Sequence, residues 1–306
     1  MNDVISFISG MPGDSVPQVL TVSVWLFLVT VLGVFLAGLL TENYSHVDRL
    51  WSVLPPLYAV IWGFRFFTEP LFMLPAVLVV LWGVRLTFNF ARRGGYRFEK
   101  GKGFTGEDYR WPILRKKIGN RFLFELFNLF FISAFQLLLI FLFTLPLFLI
   151  GLAAEAGAGF TVVHFILGLL IFSALLGETA ADNQQYRYQE NKIPGQGPGF
   201  NTEGLWRYSR HPNYGFELAQ WILLAVYAAV SGVSPAAAGL GAVLLVLLFA
   251  GSTKMTEDIT RSKYPDYSKW QKITSPWFPG IKTLVIRKMR THELEAEQAQ
   301  PEFSRD

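Results

Sequence analysis

The chain has 306 residues, of which 52% are hydrophobic and 16% charged, with a net charge of +4 and no cysteine. Soluble domains carry about a quarter charged residues, so this composition argues against a soluble globular class. The missing cysteines exclude disulfides, thiolate nucleophiles and Cys-ligated metals, and the four histidines, His46, His164, His211 and His292, share no helix face on which to build a metal centre.

Apolar residues are bunched into long uncharged runs between short charged ones, the pattern of an all-α integral membrane bundle. Residues 1–18 read as a polar N-terminal tail: Pro12, Gly13 and Pro17 break it, and it lacks the basic start of a cleaved signal. Apolar runs at 19–40, 50–67, 71–90, 123–151, 160–177, 214–231 and 235–251 give about seven transmembrane helices within one domain, residues 19–279. Pro55 and Pro56 predict a kink in the second of them. Polar segments cover 91–121 and 178–213, and the run from Gly195 to Gly199 reads as a turn-rich linker. Residues 280–306 form a polar tail, acidic after His292 and expected to be disordered.

Ten Lys or Arg lie in 91–121, four in 178–213 and ten from residue 252 onward, with Arg49 in the first link. The opposite loops, near Glu69, Glu155 and Ser231, have none. With seven spans all the basic segments share one face, which the positive-inside bias makes cytoplasmic. The expected topology is a multi-pass protein of a bacterial inner membrane, N-terminus outside and C-terminus cytoplasmic. The same bias accounts for the positive charge without a nucleic-acid partner. Oligomeric state is not encoded in any feature of the sequence.

Polar residues in or beside spans are costly and carry function. Arg85 and Asn89 lie in the third run. Glu178 and Asp182, at i and i+4, share a helix face, which Gln185 and Tyr186 extend. Asn213 and Glu217 are likewise one turn apart. The densest motif is Leu205-Trp206-Arg207-Tyr208-Ser209-Arg210-His211-Pro212-Asn213-Tyr214. Arg207 and Arg210 offer guanidinium forks for phosphates, or they serve only as positive-inside anchors. Pro212 starts a helix whose N-terminus favours an anion. Tyr208, His211 and Tyr214 offer flat surfaces to a ring, and Asn213 and Glu217 offer partners for an amide or a ribose. A later cluster, Glu257 to Arg261, Tyr264 to Tyr267 and Thr274 to Pro279, either folds back over that motif or lies at the membrane interface. Residues 106–111, Gly-Glu-Asp-Tyr-Arg-Trp, read as a solvated charged turn, and His164 as a structural histidine. No dinucleotide-binding glycine motif, Walker loop, HExxH or serine elbow is present, so any cofactor must sit within the bundle.

These motifs, in this order, resemble the membrane proteins grouped with the steroid 5-alpha-reductase C-terminal domain, and most closely a bacterial branch of that group. The resemblance runs from about Asp48 to Pro279. It is carried by Asp48 to Trp51, Trp82-Gly83-x-Arg85-Leu86, Gly106 to Arg110, Glu178-x-x-x-Asp182-x-x-Gln185, Leu205 to Glu217, Glu257, and Tyr264 to Pro279. The resemblance implies an oxidoreductase that uses NADPH to reduce a carbon–carbon double bond in a lipid or steroid-like enone drawn from the bilayer. It assigns Asp182, Arg210, Asn213 and Glu217 to the cofactor, with Thr260, Arg261, Tyr264 and Tyr267 lining the same site; Arg207, Tyr208, His211 and Tyr214 join them on their chemistry.

Steroid reductases carry a Glu before a Leu-Pro pair in the second helix and a catalytic Tyr near the end of the third. Here Val53 precedes Leu54-Pro55, and Phe90 stands at the second position. The cofactor half therefore resembles the family more than the substrate half does, and Glu178 and Tyr58 remain as candidate catalytic proton donors. Isoprenylcysteine and phospholipid methyltransferases share the Arg-His-Pro-x-Tyr motif and a later Glu, so an S-adenosylmethionine-dependent methyltransferase is the alternative. A non-catalytic lipid-binding membrane protein is the third reading.

Overall fold

A computed structural model describes residues 15–101, 103–193, 197–280 and 283. The expected tails at 1–18 and 280–306, with His292, lie largely or wholly outside these residues. The fold is mostly helical, and the chain divides into two compact units. One comprises residues 1–172 and 220–245, the other 173–219 and 246–306.

In the first unit, α1 (Ser15–Thr41) is followed by a short α2 (His46–Trp51), α3 (Leu54–Phe66) and α4 (Pro70–Arg92). A two-stranded hairpin, β1 (Phe98–Glu99) and β2 (Gly103–Phe104), leads to α5 (Arg110–Ile118). Next, α6 (Arg121–Phe127), a π-helical stretch over Asn128–Phe135 and α7 (Gln136–Glu155) run on as one rod. Three long helices complete the fold: α8 (Val162–Asn191), α9 (Pro212–Val230) and α10 (Pro235–Lys263), with a 3-10 turn at Gly204–Arg207 and a short α11 (Tyr267–Ile273).

Among the described residues, five helical stretches are long and apolar enough to cross a membrane: Gln18–Thr41, Pro70–Arg92, Arg121–Glu155, Val162–Asn191 and Pro235–Lys263. The other two expected spans differ. The run at 50–67 breaks at Ser52 and Val53, because Pro55 and Pro56 start α3 instead of kinking a longer helix. Its 13 residues reach about 20 Å at 1.5 Å each, short of the ~30 Å hydrocarbon core. The 19-residue α9 carries Asn213, Glu217 and Gln220, which lower its apolarity. Helix ends also run past the apolar runs. Residues 178–191 and 252–263, expected as polar segments, continue α8 and α10, since neither stretch contains Gly or Pro to stop a helix.

The core of the first unit is aromatic. Tyr58 stacks on Trp62 at 5.5 Å, and both meet Phe141 edge-on. Gly83, in the Trp-Gly-x-Arg-Leu motif, lies so close to the Pro56 ring and the Ser52 carbonyl that a Cβ has no room. Gly241 is pressed against the backbone of Leu142 and Phe143 in the same way. Arg65, in the last turn of α3, lies 2.6 Å from Glu155 at the end of α7, so a positive charge missed in reading the apolar runs is neutralised locally.

Candidate functional site

Most of the candidate residues fall in the second unit. Pro212 opens α9, and the residues just before it are bound to the segment after α11. The amides of Arg210 and His211 donate to the carbonyls of Ser275 and Pro276 at 2.9 and 2.8 Å. The Ser209 hydroxyl reaches the carbonyls of Pro276 and Trp277, and a parallel bridge joins Ser209 to Ser275. Trp277 is fixed in turn by its indole N–H on Thr253 Oγ1 at 2.9 Å. The later cluster therefore folds back onto the Arg-His-Pro motif and does not extend along a membrane surface.

Glu257 is the hub of this arrangement. Its Oε1 accepts from Arg210 Nε at 2.6 Å and lies 3.0 Å from His211 Nε2 and 3.4 Å from the Tyr267 hydroxyl; its Oε2 accepts from Arg210 at 3.2 Å and from Gln271 Nε2 at 2.8 Å. Facing a carboxylate, His211 Nε2 carries a proton. Arg210 also donates to the carbonyls of Gln271 and Thr274. Its guanidinium is an internal tie, with only 12% of the side chain exposed, and this leaves no free fork for a phosphate. Burial and the nearby Glu257 carboxylate push the Tyr267 phenol up, so Tyr267 remains a hydrogen-bond donor. The sequence marks Glu257 as part of the later cluster without giving it a role, and it does not mark Gln271. Glu257 stands with Asp258 at the polar end of an apolar run, but its five donor atoms come from four residues in two distant stretches, 210–211 and α11.

A second group lies along α8 and the first turns of α9. Glu178 and Asp182 are 2% and 3% exposed, and Glu217 is 7% exposed. Asn213 Nδ2 donates to Asp182 Oδ1 at a long 3.3 Å, and Gly177 is pressed against the Phe216 ring, so these two helix faces are packed together. The carboxylate fixes which way the Asn213 amide points, since only its NH2 can donate to Asp182. Its Oδ1 is then a buried acceptor without a partner among the described residues, as is Gln185 Oε1. His211 stacks on Tyr214 at 5.4 Å.

The remaining candidates are spread more widely. Arg207 and Tyr208 are exposed beside the 3-10 turn. Tyr264 accepts from Lys192 Nζ at 2.8 Å, and Lys192 also reaches the Gly199 carbonyl. The Thr260 hydroxyl is used within α10 on the Thr256 carbonyl, and Arg261 pairs with Asp258 on the exposed side of the helix. Neither points to a ligand. Tyr58 belongs to the first unit; it is fully buried and its hydroxyl has no partner among the described residues. Val53 caps α3 and is 39% exposed, and Phe90 packs edge-on against Tyr96. Among the described residues, no three of His, Cys, Asp and Glu gather as a metal-holding group.

The 106–111 stretch is not a solvated turn. Arg49 is buried; it donates through Nε to the Gly95 carbonyl at 2.9 Å, and its other nitrogens reach the Gly106 carbonyl and Asn43 Oδ1. Glu107 accepts the Tyr44 amide at 2.9 Å, Asp108 donates its amide to Ser45, and Trp111 donates to Asp48 Oδ2 at 2.9 Å. Burial pushes both the Asp48 and Glu107 carboxyls up. Sequence alone shows a charged loop; only pairing with residues 43–49 makes it an anchored plug.

A fission-yeast protein, "Uncharacterized protein C594.04c" of Schizosaccharomyces pombe, is 35% identical to this chain over 285 residues, which cover 84% of this chain and 79% of that protein. This relative is eukaryotic, so the likeness does not point to a bacterial membrane. No solved structure matches the chain. A family profile matches residues 34–274, a stretch that holds both the 43–111 network and the Arg210–Glu257 hub, and on that match the chain belongs to the family described as Protein of unknown function (DUF1295).

Proposed function

We propose that this chain is a membrane-embedded reductase that uses NADPH to saturate a carbon–carbon double bond conjugated to a carbonyl in a lipid-like substrate. One observation carries the reading. Asn213 is oriented by Asp182 so that a buried carbonyl oxygen stays unpartnered among the described residues. A buried acceptor of this kind is costly unless something donates to it, and the amide N–H of a nicotinamide carboxamide is such a donor. Gln185 Oε1, three residues beyond Asp182, is a second acceptor of the same kind. Exposed Arg207 suits a phosphate, whereas Arg210 is engaged by Glu257. The matched family is related to steroid 5-alpha-reductase-like membrane proteins, which supports the same reading.

When bound, the cofactor supplies the hydride. The chain's own contribution is to hold the carboxamide at Asn213, to exclude water through the Ser209–Trp277 docking, and to supply a proton. Glu178, one turn from Asp182 on the same face of α8, is placed to hold that proton. The five apolar stretches found among the described residues support a location in a bilayer, and the positive-inside bias supports basic segments on the cytoplasmic side.

A second reading has its own observation. Glu178, Asp182 and Glu217 are three buried acidic side chains, and a buried acidic surface suits a cationic ligand such as the sulfonium of S-adenosylmethionine. Thermal unfolding of purified protein with NADPH, NADH or S-adenosylmethionine separates the two. NADPH at 100 times its Kd is expected to stabilise by about 2.7 kcal/mol. Stabilisation by S-adenosylmethionine alone would transfer the proposal to a methyltransferase, and stabilisation by none of the three would favour the non-catalytic lipid binder.

A further inference from the structure

Five cations fall within the twelve residues from Arg110 to Arg121, and no acidic residue lies between Tyr109 and Phe124. Local structure turns this charge outward. Trp111 is buried and its indole donates to Asp48 Oδ2 at 2.9 Å, which pins one side of α5. Pro112, Ile113, Lys116 and Lys117, at i, i+1, i+4 and i+5, share the other side, and all four are exposed. Gly119 closes α5 at φ 69°, a left-handed conformation that suits glycine. Asn120 then caps the rod that starts at Arg121, its side chain accepting from the Leu123 amide at 3.0 Å. The first rod residues are apolar yet uncovered: Phe122 is 71% and Leu123 53% exposed.

Lys116 and Lys117 make no ion pair among the described residues. Arg115 and Arg121 both turn to Glu42, one to each carboxylate oxygen, at 3.9 and 3.3 Å. Two guanidiniums from separate helices thus converge on one anionic group, and that group is 58% exposed. Arg115 also lies over the Tyr44 ring at 5.9 Å. Among the described residues Glu42 is the one non-glycine position with positive φ, 52°, a conformation that costs a glutamate energy. Exposed ion pairs return little in water, so the carboxylate is a weak occupant. Positive-inside bias asks only that cations lie on this side. It does not ask two guanidiniums to meet on one acid, or aromatic and aliphatic side chains to stand exposed beside them.

We propose that Arg115, Lys116, Lys117 and Arg121 form a docking surface for the phosphates of anionic lipids, with the Glu42 carboxylate standing where one phosphate binds. Guanidinium forks match phosphate oxygens in pairs, and the lysines add point charge. The lipid source follows from the apolar neighbours. Ile113, Phe122 and Leu123 are buried by acyl chains at the headgroup boundary, as in interfacial helices, whereas a soluble phosphate leaves them in water. The rod has 35 residues, about 50 Å at 1.5 Å each, against roughly 40–45 Å for a bilayer with its headgroups. A rod of that length carries Arg121 into the phosphate layer. The proposal rests on the bilayer location of the chain and not on NADPH chemistry.

Full-length protein in detergent is titrated with dioleoyl phosphatidylglycerol or dioleoyl phosphatidylcholine, and bound lipid is counted by native mass spectrometry. The anionic lipid is expected to bind more tightly, and equal affinities overturn the proposal. Lys116→Gln/Lys117→Gln is expected to weaken phosphatidylglycerol binding roughly 25-fold, about five-fold per cation, and to leave phosphatidylcholine binding unchanged. The control Lys263→Gln/Lys272→Gln removes the same charge from the second unit and is expected to bind as wild type does. An equal loss in the control shows that affinity follows net charge, and the site falls. Glu42→Gln is expected to tighten phosphatidylglycerol binding about five-fold, the same charge step with its sign reversed. Unchanged or weaker binding in this variant refutes the shared position of carboxylate and phosphate. Displacement of the lipid by an equal concentration of glycerol 1-phosphate assigns the surface to soluble phosphates and likewise overturns the proposal. No arm contains a cofactor, so failure here and failure of the reductase reading are separate results.

Discussion

Replacing Glu257 by Gln keeps the side-chain shape and removes the charge on which the second unit converges. Arg210 would then retain a buried positive charge without its anion, and breaking one half of a buried pair costs about 3–5 kcal/mol. The carbonyls of Gln271 and Thr274 continue to accept from Arg210, which puts the expected loss near the lower end, about 3 kcal/mol. At 1.4 kcal/mol per decade this is roughly a hundred-fold rise in the population whose 275–277 segment has left the Arg-His-Pro turn. Hydrogen exchange reads that population directly, because the Arg210 and His211 amides are held by the Ser275 and Pro276 carbonyls. Exchange at these two amides should accelerate about a hundred-fold, while amides within α3 and α4 keep their protection. Wild-type exchange at both amides in Glu257→Gln would show that the carboxylate does not hold the segment in place.

The remaining predictions concern the second helix pair, the 43–111 network and topology. Glu217→Gln is expected to weaken NADPH binding roughly 10- to 150-fold, the range for a hydrogen bond to a charged group; undiminished affinity in a folded variant removes Glu217 from the site. The Asp48 and Glu107 carboxyls are raised above their ordinary 3.8 and 4.5, so their contribution to stability is fully present below those values and is lost as pH rises through the folded-state values. Burial lowers His46 below its ordinary 6.5, which acts in the opposite direction, with stability lost as pH falls. The Asp48→Asn/Glu107→Gln double variant cancels the His46 contribution by difference: its stability relative to wild type should increase with pH in melts taken from about pH 5 to 8, and a flat difference refutes the assignment. A reporter fused after Ser231 is expected to read as external and one after Lys272 as cytoplasmic; matching signals at the two positions would refute a membrane crossing by α10 between them.

Composition and patterning alone marked the chain as helical with several stretches apolar enough to cross a membrane, because apolar runs near 20 residues have few other uses. Sequence spacing also put Glu178 with Asp182 and Asn213 with Glu217 on shared helix faces, since that geometry is local to one helix. Helix ends were less legible: hydropathy marks where lipid stops, and α8 and α10 continue as polar helices well past that point. Tertiary structure decided the roles of individual charges. Arg210 reads as a phosphate fork in sequence and is spent on Glu257, 47 residues away; the Glu107 loop reads as solvated and is buried against residues 43–49. It also decided that two tryptophans 139 positions apart, Trp82 and Trp221, line one cavity, neither indole N–H having a hydrogen-bond partner among the described residues. The physical reason is the same in each case. A side chain's chemistry is set by its residue type, but whether that chemistry is already satisfied depends on partners brought by distant segments, and no local pattern records them.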